Sequence, residues 1–280
     1  MQWVPCRLCG DHTILNSKSS IRSPRHSVKS PKAISSNISS QRGVSATSWP
    51  GGRTRMSAPE LYHSATIVQM TQAVLHSTTP VREAFHRHGN SFRGLVASTK
   101  GSGGPIPHES GLAGRIALML DLAPEVLSII PEPGSIPYVL DEQLSSYTPD
   151  YLVLLRNDSR CLIEVKYAKE AAQPDNKRRH DVITRLVEQA GGLFAVLTEN
   201  TLTQPGLRAN LPLLEQYRFN LITTDARSWI ATNLGQHPQS FSTVANVLGR
   251  GTVLAAIAQG LIRTDIRRMP IDSQSPLWRA

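Results

Sequence analysis

Asp150, Glu164 and Lys166 are the residues whose types and spacing carry chemistry. Tyr147-Thr148-Pro149-Asp150 opens an apolar run from Tyr151 to Leu155, and Ile163-Glu164-Val165-Lys166 closes a second run that starts at Cys161. Side chains alternate faces along a strand, so Glu164 and Lys166 project together while Val165 points into the opposite layer. Arg156-Asn157-Asp158-Ser159-Arg160 is turn-like, and folding the second run back along the first brings Asp150 beside Glu164. Two carboxylates forced together in a partly buried place repel, unless one takes a proton or a cation lies between them. Hard oxygen donors favour Mg2+, with Mn2+ as the alternative. Such an ion activates water and stabilises charge on a phosphoryl group in transfer. Lys166 would orient that water or neutralise the pentacovalent phosphorus. A solvated Glu-Lys pair on an ordinary hairpin, contributing about 0–1 kcal/mol, is the alternative reading of the same residues, and Pro-Asp is a common turn opener.

The elements around the two runs have to hold these groups in place. Upstream, Glu109-Ser110-Gly111-Leu112 leads into an amphipathic helix with Leu112, Ile116 and Met119 or Leu120 on one stripe. Glu109 lies at the edge of that stripe and is expected to face the sheet. Residues 126–130 and 135–140 read as strands ahead of the two motif strands. Pro174-Asp175-Asn176 is expected to cap a helix with the stripe Val182, Ile183, Leu186, Val187 and Ala190, ended by Gly191-Gly192. Residues 193–198 read as a short buried strand. Lys177, Arg178 and Arg179 fall at the start of that helix, where they would meet a scissile-strand phosphate or form a solvated basic turn. The stretch 62–76 is ambiguous, 91–107 is rich in Gly and Ser, and Thr79-Pro80 is expected to start a short helix through Phe85. Helical patterns recur over 207–217, 224–233, 242–248 and 252–259. Residues 261–266 and 276–278 then make a strand pair resembling the wing of a winged helix-turn-helix, a unit that contacts either DNA or protein.

At 280 residues and 40% hydrophobic content the chain can build packed cores. No apolar stretch approaches the ~20 residues that span a bilayer, and no continuous apolar segment marks a secretory signal. Cys6, Cys9 and Cys161 make no disulfide framework, so the expected setting is the bacterial cytoplasm, in association with the nucleoid. Cys6-x-x-Cys9 with His12 lacks the four ligands of a structural zinc site, and His86, His88, His108 and His180 show no metal-binding spacing. The net charge of +9 sits mostly in residues 1–60, which carry nine Lys/Arg against two acids. Residues 61–280 have a net of only +2. Residues 1–55 are read as a disordered basic, Ser-rich tail, and Met56 as a plausible true start. Residues 56–202 are read as the nuclease domain and 203–280 as a helical, winged-helix-like domain.

Several short segments, in order, resemble the TnsA family, the endonuclease subunit of heteromeric cut-and-paste transposases within the PD-(D/E)XK nuclease superfamily. They are Phe92-Arg93-Gly94, Ala97-Ser98-Thr99-Lys100, His108-Glu109-Ser110, Tyr147-Thr148-Pro149-Asp150 and Ile163-Glu164-Val165-Lys166. The helix and strand after them and Ala258-Gln259-Gly260-Leu261-Ile262 extend the likeness over residues 81–280. The resemblance implies an α/β fold with a restriction-endonuclease-like core, a mixed central sheet flanked by helices, and a small C-terminal winged-helix-like unit. By the same resemblance Glu109, Asp150 and Lys166 take the catalytic places. Glu164 takes a position where some members carry Gln, and Glu109, Asp150, Glu164 and the Val165 backbone carbonyl would hold the metal. The implied activity is cutting of the 5′ strands at transposon ends. The implied partners are DNA, a DDE-type transposase and an AAA+ regulator ATPase. The sequence departs from the family at Gly111 and Gly114, each costing about 1 kcal/mol of helix propensity relative to Ala, and at Ala113, where a second acid is frequent. A stand-alone restriction or repair nuclease and an inactive adaptor between transposase and regulator are the competing functions.

Overall fold

The computed structural model of the chain describes residues 64–81, 94–235 and 237–280. All lie in one compact unit, Arg55–Ala280. The expected tail, the Cys6/Cys9 pair, the Met56 start and most of the helix expected over 79–85 lie outside the described residues.

The ambiguous stretch forms α1 (Ser64–Leu75), and the Gly/Ser-rich stretch contains a short antiparallel pair, β1 (Gly94–Val96) and β2 (Ile106–His108). Next come α2 (Gly111–Leu122), β3 (Val126–Pro131), and a hairpin of β4 (Ile136–Leu140) with β5 (Gln143–Tyr147). β5 carries no apolar pattern in the sequence. Gln143-Leu144-Ser145-Ser146-Tyr147 has too few apolar residues to stand out, and its strand exists because Asp141 and Glu142 turn the chain with φ of 51° and 60°, the left-handed pair a two-residue hairpin favours. The motif strands are β6 (Tyr151–Leu155) and β7 (Arg160–Val165), paired antiparallel with Tyr151 opposite Ile163. After α3 (Ala168–Ala171) and α4 (Pro174–Gln189), β8 (Leu193–Leu197) runs parallel to β7, the crossover that parallel pairing demands being supplied by the two helices.

The central sheet has the order β3-β6-β7-β8, with two antiparallel pairings and one parallel, so it is mixed. Helices cover it on both faces. Leu75, Leu152, Leu162, Ile183 and Val187 share one core cluster, which places α1 and α4 on the Leu152/Leu162 face. The Tyr151 hydroxyl donates to the Ala113 carbonyl at 3.4 Å, which places α2 on the opposite face. β8 is not the buried strand expected of its composition. It is the sheet's last strand, Leu193 is exposed and only Leu197 along it is buried.

Past a single 3-10 segment (Glu199–Thr203) lie α5 (Pro205–Glu215), α6 (Thr224–Asn233), β9 (Gln239–Ser240), α7 (Phe241–Leu248), α8 (Arg250–Ala258), β10 (Ile262–Arg263) and β11 (Pro276–Arg279). The strands form a small antiparallel sheet in the order β10-β11-β9. Asn210 on α5 ties down the connection between β10 and β11. Its amide donates to the Ile266 and Met269 carbonyls at 3.0 and 2.9 Å and its oxygen accepts from Ile271 N–H at 2.8 Å. Among the described residues no single helix is long and apolar enough to cross a membrane.

One buried ion pair joins this region to the core. Arg218, just after α5, meets Asp121 near the end of α2 at 3.3 Å, with side chains 6% and 3% exposed. Asp121 also accepts from the Ser98 hydroxyl and from Thr99 N–H. Removing one member of a buried pair leaves the other charge desolvated. Arg218→Met is therefore expected to lower unfolding stability by about 3 kcal/mol, measured by urea denaturation. Asp121→Leu/Arg218→Met should recover part of that loss.

Candidate active site

The pairing of β6 with β7 brings Asp150 and Glu164 together where β6 begins and β7 ends, one step beyond the Tyr151–Ile163 pair. Asp150 is fixed through its own side chain: one carboxylate oxygen accepts from the Val165 backbone N–H at 2.6 Å. Glu164 is buried at 7% exposure. Lys166 donates from Nζ to Glu164 Oε1 at 2.8 Å. Alternation puts Glu164 and Lys166 on the Leu162 face, and Lys166 stays in register with β8 through its N–H bond to the Leu197 carbonyl at 3.1 Å.

Burial and the neighbouring Glu164 charge push the Asp150 pKa up to about 7, only partly offset by the Val165 N–H and by Lys166. The pair thus stands in an environment that resists two negative charges, and a positive ion is what would relieve it. By donor chemistry the pair fits a hard divalent cation, as two of its oxygen ligands. Among the described residues, no group of three or more His, Cys, Asp or Glu is assembled to hold a metal ion.

Glu109 is placed differently from the expectation. α2 starts at Gly111 with Ser110 as its cap, the hydroxyl accepting from Ala113 N–H at 3.0 Å, so Glu109 precedes the helix and is exposed. It is not on the helical stripe, because Ser110 captures the first turn. The departure at Gly114 gains an explanation and that at Gly111 does not: a Cβ on Gly114 would come within 2.9 Å of the His108 ring, and one on Gly94 within 2.6 Å, whereas one on Gly111 would meet nothing within 4 Å. Gly94 and Gly114 let β1 and α2 close around His108, beside Glu109.

A different carboxylate is positioned next to Asp150. Glu132, just past β3, donates its N–H to the Asp150 carbonyl at 2.8 Å, and its charge contributes to the raised Asp150 pKa. Its φ of 41° is left-handed, a conformation that costs a non-glycine residue about 1–2 kcal/mol. Pro131-Glu132-Pro133 carries no periodic signal, so only the β3–β6 register reveals this residue.

Tyr147 and His180 were also missed as parts of the site. Tyr147 and Phe194 meet edge to face with centroids 5.9 Å apart, and His180 lies 6.3 and 5.9 Å from them. The Tyr147 hydroxyl lies against Glu164, and burial together with that carboxylate drives its pKa far up. The His180 pKa is lowered, first by burial and then by the Lys166 and Arg179 charges, against the pull of Glu164. His180 Nε2 is buried and makes no hydrogen bond among the described residues, and the buried Tyr147 hydroxyl has Glu164 as its neighbouring acceptor. The Tyr147-Thr148-Pro149-Asp150 motif marks Tyr147 in the sequence, but nothing in it marks His180.

Lys177, Arg178 and Arg179 do fall in the first turns of α4, whose cap is Gln173 with Pro174 as its first residue. Arg178 is engaged at the surface by Asp141 at 3.0 Å and Asp175 at 2.9 Å. The Arg179 charge is felt by both Tyr147 and His180. Lys177 is exposed.

Residues 123–199 match a family model described as TnsA-like endonuclease N terminal. Asp150, Glu164, Val165, Lys166 and the basic turn of α4 lie inside the matched segment. Glu109 and residues 203–280 lie outside it. No curated protein matches the chain.

Proposed function

We propose, from the match of residues 123–199 to the TnsA-like endonuclease N-terminal family, that the chain is a metal-dependent DNA endonuclease. In this reading it cuts the 5′ strands at transposon ends together with a DDE-type transposase, under an AAA+ regulator ATPase. The observation that carries the proposal is the meeting of Asp150 and Glu164 where β6 begins and β7 ends, with Lys166 bonded to Glu164 at 2.8 Å.

Asp150 and Glu164 would hold Mg2+ or Mn2+, with the Val165 carbonyl and Glu109 as further oxygen donors. A bound ion of this kind supplies Lewis acidity and a nucleophilic water at neutral pH. The Val165 N–H bond keeps the Asp150 carboxylate turned toward Glu164. Lys166 moves its ammonium between Glu164 and a non-bridging phosphate oxygen, where it offsets the charge that builds as the phosphodiester is attacked. Lys177 and Arg179, at the start of α4, hold the flanking phosphates. Tyr147 stays neutral throughout and backs Glu164 when Lys166 turns to the substrate.

Purified protein incubated with its partner transposase, Mg2+ and transposon-end DNA is expected to produce 5′-strand cuts that vanish with EDTA. Cutting of end DNA without any transposase would replace this reading with a stand-alone nuclease. One observation favours an inactive adaptor, namely that no three-ligand group stands assembled among the described residues. Absence of cuts with all components present would decide for it.

A further inference from the structure

The folded part of the chain is not evenly charged. Residues 203–280 hold eight arginines and no lysine against four acids, Glu215, Asp225, Asp265 and Asp272, a net of +4. Arginine alone presents the planar, forked donors that match phosphate geometry. Two of these arginines converge with a third from the core. Arg156, in the β6–β7 turn, Arg227 on α6 and Arg279 on β11 line a cavity of about 270 Å3, with Ile230, Gly260 and Leu261 among its other walls.

All three guanidiniums are aimed by backbone carbonyls. Arg156 Nε donates to Pro124 at 2.6 Å, Arg227 Nε to Ile222 at 3.4 Å, and an Arg279 terminal nitrogen to Ala231 at 2.7 Å. Among the described residues the ion pairs involve Lys166, Arg178, Arg218 and Arg268, and none of these three arginines meets a carboxylate. Nearby, the Lys100 ammonium is held down to about 8, chiefly by burial, with the Arg156 charge acting in the same direction against Asp121 and Glu125. Three guanidiniums line one cavity, each fixed by a neutral carbonyl, with Ala280 also in its wall. That arrangement has the chemistry of an anion site. Its volume suits a phosphate and its adjoining sugar, and is too small for a folded protein element.

We propose that Arg156, Arg227 and Arg279 form a phosphate pocket that grips the DNA backbone away from the cutting site. Asp150 and Arg156 flank the five residues of β6, so the pocket and the carboxylates stand about 20 Å apart along the strand, enough for one duplex to touch both. The proposal rests on the reading of the chain as a DNA nuclease and adds a second contact to it.

The test is fluorescence anisotropy of the full chain with a labelled transposon-end duplex in EDTA, across a salt series, for wild type and Arg227→Gln/Arg279→Gln. Unaltered melting and Mn2+ titration would show that the variant is folded and its carboxylate pair intact. The expected result is an affinity loss of about tenfold at 0.1 M salt, with the slope of log K against log salt reduced by about two. Equal affinity and slope for the two proteins would overturn this proposal alone. A wild type that binds no DNA would overturn it together with the nuclease reading. Two further arms use inorganic pyrophosphate and labelled polyglutamate. Loss of either one's binding in the variant, with DNA binding unchanged, would reassign the pocket to a free phosphate compound or to an acidic protein and overturn the DNA assignment.

Discussion

Asp150→Asn is expected to abolish DNA cutting, by about 10³-fold or more, and yet to make the metal-free protein more stable at pH 8. The fold raises the Asp150 pKa to about 7 from an ordinary 3.8. The native state therefore holds its proton more tightly than the unfolded chain does. Stability from this group is full at acid pH and is lost as pH rises from about 4 to about 7, where the unfolded carboxyl ionises first. Above that window the accumulated penalty is on the order of 2–4 kcal/mol. Asparagine keeps an oxygen for the Val165 N–H and carries no charge against Glu164. In EDTA at pH 8 the variant should melt on the order of 5 °C above wild type, and the two should converge near pH 4. Added Mn2+ should raise the wild-type melting temperature and leave that of the variant unchanged. A variant less stable than wild type at pH 8 would remove the electrostatic conflict on which the metal reading stands.

Lys166→Met should be inactive too, with the opposite sign in stability. Among the described residues the Lys166 ammonium is the ion-pair partner of Glu164, at 2.8 Å, with side chains 23% and 9% exposed. Removing it leaves a buried carboxylate facing Asp150. Because Lys166 is partly solvated, the loss is expected to be about 1–3 kcal/mol rather than that of a fully buried pair. Cutting should fall by about 10²–10³, the scale for losing a single transition-state cation or donor. Mn2+ should bind this variant at least as tightly as wild type, since no ammonium competes for Glu164, and should restore its melting temperature. Lost Mn2+ binding would make Lys166 a structural residue of the site rather than a group that acts on the phosphate.

The central hairpin was legible because its signal is local. Two apolar runs flank a polar turn, and the period of two in Ile163-Glu164-Val165-Lys166 fixes which residues share a face. The helix carrying Ile183 and Val187 was legible for the same reason at a period of 3.6. What escaped depends on register between segments distant in the chain. Glu132 becomes a neighbour of Asp150 only when β3 pairs with β6, and His180 reaches Glu164 only when α4 packs over the sheet. β5 escaped because turn geometry, rather than apolar content, makes it a strand. Glu109 shows the opposite failure: a helical stripe was extended one residue past the serine that caps it. The net of +2 over residues 61–280 conceals an arginine-only C-terminal region of +4 beside a core of −2.

Isothermal titration of the purified chain with Mn2+ at pH 8 asks whether Asp150 and Glu164 form one cation site. Wild type is expected to bind one or two ions per chain, with binding lost in Asp150→Asn and in Glu164→Gln and weakened below about pH 7 as Asp150 takes up its proton. A wild-type protein that binds no Mn2+, or binds it equally well without either carboxylate, would contradict the account.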